Sequence, residues 1–92
     1  MKNNVRAHLT ITGRVQGVCF RYEAYAAARL LGVKGWVLNK MDGSVEVLME
    51  GDKDSVGKMI LWCHKGPSGA LVDNVIVKWE EYKGEFVDFR II

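Results

Sequence analysis

The sequence predicts an α+β fold, a two-layer sandwich in which two amphipathic helices cover one face of an antiparallel sheet, in the order β-α-β-β-α-β with an extra terminal strand. Three observations carry this. Apolar residues alternate with polar ones in residues 5–12 and 44–50. They recur at helical spacing in residues 20–31 and 56–63. Glycine, aspartate and proline cluster between these segments, where chain reversals are needed.

Each element can be justified in turn. Val5, Ala7, Leu9 and Ile11 fall on one face and Arg6, His8, Thr10 and Thr12 on the other, the pattern of a half-buried strand. Gly13 to Gly17 reads as a loop. Phe20, Ala24, Ala27 and Leu31 then mark a helix on an alanine-rich background, with Ala28 beside the stripe and Gly32 as its C-cap. Trp36, Val37 and Leu38 begin a second strand, and Asp42-Gly43 is a two-residue hairpin signal. Val45, Val47 and Met49 alternate in a third strand, which Gly51-Asp52-Lys53-Asp54 ends while supplying N-cap candidates. Val56, Met59, Ile60 and Cys63 follow i, i+3, i+4, i+7 spacing, so they line the packed side of a second helix. Gly66-Pro67-Ser68-Gly69 is a loop, Val75, Val77 and Trp79 form a fourth strand, and Val87, Phe89 and Ile91 a last one after a Lys83-Gly84 turn. This order is that of the ferredoxin-like fold, which hosts many unrelated activities.

Ninety-two residues are expected to form one domain, residues 1–92, with no room for a large cleft. The net charge of +2 is dispersed, unlike the concentrated patch of a nucleic-acid binder, and a monomer is expected. No leader pattern follows Met1-Lys2-Asn3-Asn4-Val5-Arg6 and no stretch approaches membrane-spanning length, so neither a membrane nor a nucleic acid is expected as partner, and the expected compartment is the cytoplasm. Two cysteines, Cys19 and Cys63, are too few for a disulfide scaffold, and no clustered Cys/His pattern suggests a metal. Whether the two pair with each other is a question of geometry. His8 reads as solvated, His64 as a helix-end residue, Trp36, Trp79 and Phe89 as core or core-edge residues, and Arg14 as a surface or loop-supporting residue in preference to a second phosphate clamp.

The stretch from Gly13 to Arg21 is the chemically informative one. It joins a strand to a helix, where free backbone N–H groups and the helix dipole favour an anion. Glycines let successive amides curl into a nest. Arg21, in the first helical turn, could grip two phosphate oxygens with its planar fork. Walker A and the dinucleotide fingerprint are both absent. Taken alone, the loop fits better a glycine-bearing turn with a solvent-exposed arginine.

Gly13-Arg14-Val15-Gln16-Gly17-Val18, followed after Cys19 by Phe20-Arg21, resembles the signature of the acylphosphatases. A second family signature is resembled by Gly35-Trp36-Val37-Leu38-Asn39 with Asp42-Gly43-Ser44-Val45-Glu46 and Gly51, and a later loop by Gly66-Pro67, Ala70 and Val72. The resemblance spans essentially the whole chain and implies a ferredoxin-like fold, hydrolysis of acyl phosphates to a carboxylate and inorganic phosphate, and no cofactor. It implies a phosphate cradle from the backbone of Gln16, Gly17, Val18, Cys19 and Phe20, closed by Arg21, with Asn39 orienting the water. Leu38 departs from the family, which more often has a polar or basic residue there. Such chemistry needs few groups. The leaving carboxylate, with a conjugate-acid pKa of roughly 4, departs unprotonated, so no general acid is required. A loose phosphoryl-transfer transition state asks mainly for positioning and charge balance. An RNA-binding module of the same fold is the alternative class, but residues 44–50 carry acids where an RNP motif would place Lys/Arg-Gly-Phe. A specialised member binding a carbamoyl-phosphate-like ligand is a third.

Overall fold

The computed structural model describes residues 3–92; Met1 and Lys2, where the reading for a leader began, lie outside the described residues. Its elements are β1 (Asn4–Arg14), α1 (Phe20–Leu31), β2 (Lys34–Asn39), β3 (Val45–Asp52), α2 (Lys53–Lys65), β4 (Leu71–Glu80) and β5 (Phe89–Ile91). They form one sheet in the order β4-β1-β3-β2-β5. The first four strands pair antiparallel, but β5 lies parallel to β2. The sheet is therefore mixed, a correction to the antiparallel expectation. The cause is topological. β4 and β5 occupy opposite edges, and residues 81–88 cross between them at the end of the sheet where β4 finishes, so β5 must run back beside β2 in the same direction.

The alternation places side chains as expected. Ala7, Leu9 and Ile11 of β1, Val37 of β2 and Val45, Val47 and Met49 of β3 are buried against Phe20, Ala24 and Ala28 of α1 and Val56, Met59 and Cys63 of α2. Alanines at the α1 contact let the helix backbone approach closely. The opposite face carries Arg6, His8 and Thr10 opposite Glu50, Leu48 and Glu46.

Several boundaries move. β1 continues through Gly13 and Arg14, past a bulge between Thr12 and Gly13, so these two residues belong to a strand rather than a loop. Gly13 is required there: at φ 122°, a Cβ would stand 2.3 Å from the Leu71 carbonyl oxygen. Gly51 and Asp52 stay in β3, paired with Val5 and Asn4, instead of ending it. The β2–β3 hairpin is not a two-residue turn. The Gly43 amide donates to the Lys40 carbonyl (3.2 Å) and the Lys40 amide to the Ser44 carbonyl (2.8 Å), enclosing the three residues Met41-Asp42-Gly43 with Gly43 at φ 94°. Val87 lies on the crossing segment, since pairing with β2 begins only at Phe89. Trp79, near the outer end of edge strand β4, is 59 % exposed rather than core, because no further strand flanks it.

The crossing segment is pinned by one acid. Glu50, almost fully buried, accepts from the backbone amides of Lys83 (2.8 Å), Gly84 (3.3 Å) and Glu85 (3.3 Å) and pairs with Arg6 at 3.2 Å. Arg6 also pairs with Glu80 (3.0 Å) and with Glu85, and lies 5.6 Å from the Phe86 ring centroid. Burial pushes the Glu50 carboxyl up, but the three amides and the guanidinium outweigh it and hold the group below its ordinary value. The fold thus favours the ionised acid. Its contribution to stability is fully present above the unfolded value of 4.5 and is lost as pH falls through the lower native value. Replacing Glu50 by Gln is expected to lower neutral-pH stability by about 3 kcal/mol. Urea unfolding midpoints followed from neutral to acid pH check this: the acid-dependent loss should be shallower in the variant than in the parent.

Candidate functional site

β1, β2 and β5 all run toward the same end of the sheet, and α1 begins there. Val15 and Phe20, 1 % and 2 % exposed, fix the two ends of the connecting loop in the core. Between them Gly17 and Cys19 both adopt left-handed conformations, at φ 75° and 65°. Left-handed residues interleaved in a loop are the backbone geometry from which amide nests form. Nothing stands within 4 Å of a Cβ at Gly17, so that glycine serves backbone conformation rather than space. Cys19 is the one residue other than glycine with positive φ among the described residues, a conformation that costs about 1–2 kcal/mol. It caps α1 without a side-chain hydrogen bond. Among the described residues no hydrogen bond engages the amides of residues 16–20, whereas the Cys19 carbonyl accepts from the Glu23 amide at 3.0 Å. The loop therefore presents free donors at the positive end of a helix.

The support beneath the loop is aromatic. Phe20 packs edge-on against Trp62, with ring centroids 5.2 Å apart. It also packs over Gly66, where a Cβ would come 2.8 Å from the Phe20 ring. This explains the glycine of the Gly66-Pro67 loop, which lies at φ 69°.

Arg21 and Asn39 reach the same place from different elements. Asn39, the last residue of β2, shares the helix-side face with buried Val37, two residues earlier. Arg21 projects from the first turn of α1, and its Nη1 donates to the Ile92 carbonyl at 3.2 Å. An open cleft of about 370 Å³ is lined by Gln16, Gly17, Cys19, Phe20, Arg21 and Asn39, with Val15, Tyr22 and Ile91 completing the wall. Of the residues expected at the site, Val18 is the one that does not line the cleft; its side chain packs against the core.

Some features escaped the sequence. The Gln16 side chain, counted only for its backbone, spans to the β2–β3 hairpin, donating to the carbonyls of Lys40 (2.7 Å) and Ser44 (2.9 Å). Tyr22 and Phe20 are the aromatics that line the cleft with Asn39. Trp36 lies on the far face, its ring edge-on to His8 at 6.4 Å. Ile91 could have been placed on the helix face by alternation with Phe89, but its approach to the cleft depends on the parallel pairing. Leu38 points to the face opposite Asn39. His8 pairs with Glu46 at 2.8 Å on that same far face, and His64 bonds the Ile60 carbonyl at 2.9 Å. Cys19 is exposed and Cys63 buried, both as free thiols, and burial pushes Cys63 up to about 12. No group of three or more His, Cys, Asp or Glu side chains is placed to hold a metal among the described residues. No helix there is long and apolar enough to cross a membrane.

The acylphosphatase family model matches residues 7–91. The chain belongs to the acylphosphatase family. It is 57 % identical over 90 residues to an acylphosphatase of Pyrobaculum islandicum, a match covering 97 % of this chain and 95 % of that protein. Among solved structures, an acylphosphatase from Coxiella burnetii superposes with a TM-score of 0.93 at 36 % identity, covering 98 % of this chain and 94 % of the other. That from Bacillus subtilis gives 0.92 at 30 % identity, covering 96 % and 98 %. The resemblance read from the two signatures holds across the chain, as does the ferredoxin-like fold. The protein is an acylphosphatase, an enzyme acting on acyl phosphates.

The seat of Phe20 makes Gly66 a sensitive position in this acylphosphatase. Gly66→Ala combines a left-handed alanine with a ring contact, and is expected to cost about 2–3 kcal/mol. Denaturant unfolding of the two proteins measures it.

Proposed function

We propose that this acylphosphatase hydrolyses R–CO–O–PO₃²⁻ by direct in-line attack of water on phosphorus, without metal and without a phosphoenzyme. The observation that carries this reading is a single cleft lined by Gln16, Gly17, Cys19, Phe20, Arg21 and Asn39, on a loop whose amides at residues 16–20 make no hydrogen bond among the described residues. The amides of Gln16, Gly17, Val18, Cys19 and Phe20 receive the phosphoryl oxygens, and Arg21 balances their charge with paired donors. Asn39 holds the water, offering it both an acceptor and a donor while adding no negative charge beside an anionic substrate. A bond forms from water oxygen to phosphorus as the bond from phosphorus to the acyl oxygen breaks. The departing carboxylate keeps the electron pair, and the surplus water proton goes to the phosphate product or to solvent. Because the leaving group is a stable anion, positioning and electrostatics supply the catalysis. The small substrate and inorganic phosphate product need no partner chain, and we propose a monomer. Two free thiols, Cys19 and Cys63, suit a reducing compartment, and the cytoplasm is proposed.

With benzoyl phosphate in EDTA the parent is expected to turn over, and Arg21→Ala and Asn39→Ala to lose at least about 100-fold in kcat while remaining folded. In ¹⁸O-water the label should appear in phosphate. Label in the carboxylate, or recovery of phosphorylated protein, would contradict direct attack on phosphorus.

The cleft wall beyond the polar groups is Tyr22 and Ile91, both accessible at 64 % and 42 %. They supply an apolar surface for the acyl group. Tyr22→Ala is expected to raise KM for benzoyl phosphate about 5-fold, the loss of one modest aromatic contact, and to leave acetyl phosphate unchanged. Paired Michaelis–Menten series with the two substrates check it.

A further inference from the structure

The cradle and Asn39 sit on elements that share no hydrogen-bonded ladder. In the sheet β3 lies between β1 and β2, and Val45 pairs with both Ile11 and Asn39, so the ladders place Asn39 relative to β1, but residue 16 lies beyond the end of β1 and outside them. The direct hydrogen bonds joining the loop to the hairpin, among the described residues, are those of the Gln16 side chain. Its Nε2 reaches the carbonyls of Lys40 at 2.7 Å and Ser44 at 2.9 Å. Both partners are acceptors, so the amide must present its NH₂ and spends both hydrogens there. Those carbonyls are the neck of the hairpin: the Lys40 amide donates to Ser44, and the Gly43 amide to Lys40. The neck is stiffened in turn by Asp42, whose Oδ1 accepts from the Ser44 amide (2.9 Å) and hydroxyl (2.6 Å), while Ser44 itself is buried. Lys40 follows Asn39 directly.

We infer that the Gln16 side chain is a positioning residue that sets the separation between the phosphate cradle and the water held by Asn39. The inference rests on the mechanism proposed above. Two donors on two carbonyls of one turn fix direction as well as distance, which a single contact would not. Misplacement of reacting groups by about 1 Å can cost 100-fold in rate, so an unbraced hairpin would impair the step without emptying the cradle.

The test is a double-mutant cycle on the intact enzyme, with Gln16→Met, Asn39→Ala and the pair. Methionine keeps the length and loses both donors. Gln16→Met is expected to lower kcat about 10- to 100-fold while the inhibition constant of inorganic phosphate, the probe of the cradle, stays within about twofold. In the Asn39→Ala background the same substitution should cost less than about threefold further, since its effect passes through Asn39. Unchanged kcat in Gln16→Met, a phosphate inhibition constant that rises in step with the loss, or losses that multiply fully in the pair would each overturn the inference. Asn39→Ala at parental kcat would instead overturn the role of Asn39 itself, and the inference with it. Should the methionine variant fail to fold, Gln16→Ser enters the same cycle with the same expected outcomes.

Discussion

The structure depends on one buried carboxylate. Glu50 sits mid-sheet on the face away from the helices and takes three consecutive backbone amides of the segment that must travel from one sheet edge to the other. Residues 83–85 are themselves exposed, so the larger cost of losing these bonds would fall on Glu50, a buried carboxylate left short of donors. Arg6 supplies the opposing charge and ties in Glu80 at the end of β4 and Glu85 within the crossing. The crossing in turn decides the direction of β5, and β5 delivers Ile91 and Ile92 to the far end of the molecule, where one lines the cleft and the other meets Arg21. A charge pair at one end of the sheet thus shapes the site at the opposite end, through topology alone.

The two ends treat polar groups in opposite ways. At the crossing end, donors and acceptors are matched: an acid receives amides, and an arginine is shared among acids. At the cleft end the loop amides of residues 16–20 are left without partners, and the backbone bends into left-handed conformations to turn them outward. Free donors on a surface loop are tolerable because water can serve them. In the proposed mechanism a phosphoryl group replaces that water. The strain at Cys19 fits this division, since a sparsely populated conformation persists where the surroundings hold it in place. Buried Val15 and Phe20 on either side are those surroundings.

The fold was largely legible because both of its periodicities are clean. Alternation in β1 and β3 and the stripe through Val56, Met59 and Cys63 put the right side chains in the core. What alternation could not convey was pairing: the parallel β5 follows from the long crossing, and the crossing from Glu50, a residue that in sequence looks like one more exposed strand acid. Asp42-Gly43 signalled a reversal correctly but not its length, since a glycine at the third loop position serves a three-residue turn as well as a two-residue one. At the site, the gathering of Arg21 and Asn39 was implied by the family signatures and not by spacing. The physical reading could offer a strand-to-helix loop fit for an anion, and no more. The bracing by the Gln16 side chain was not foreseen, because its partners are backbone carbonyls, which leave no trace in side-chain pattern.

The economy of the site matches the size of the chain. A two-layer fold of 92 residues has one core and no third layer from which to hang a catalytic network. A reaction needing a general acid would require a buried group with a displaced pKa, and burying such a group would draw on a core already committed to packing. A carboxylate leaving group removes that demand. What remains, holding an anion and placing a water, can be met by backbone amides, which every residue carries, and by two side chains at the ends of regular elements. Precision is then the scarce quantity, since neither the loop nor the hairpin is held to the other by a sheet ladder. A side chain that hydrogen-bonds backbone across the gap is the least costly way to supply it, and the loop carries such a residue at Gln16, the first position of the proposed cradle.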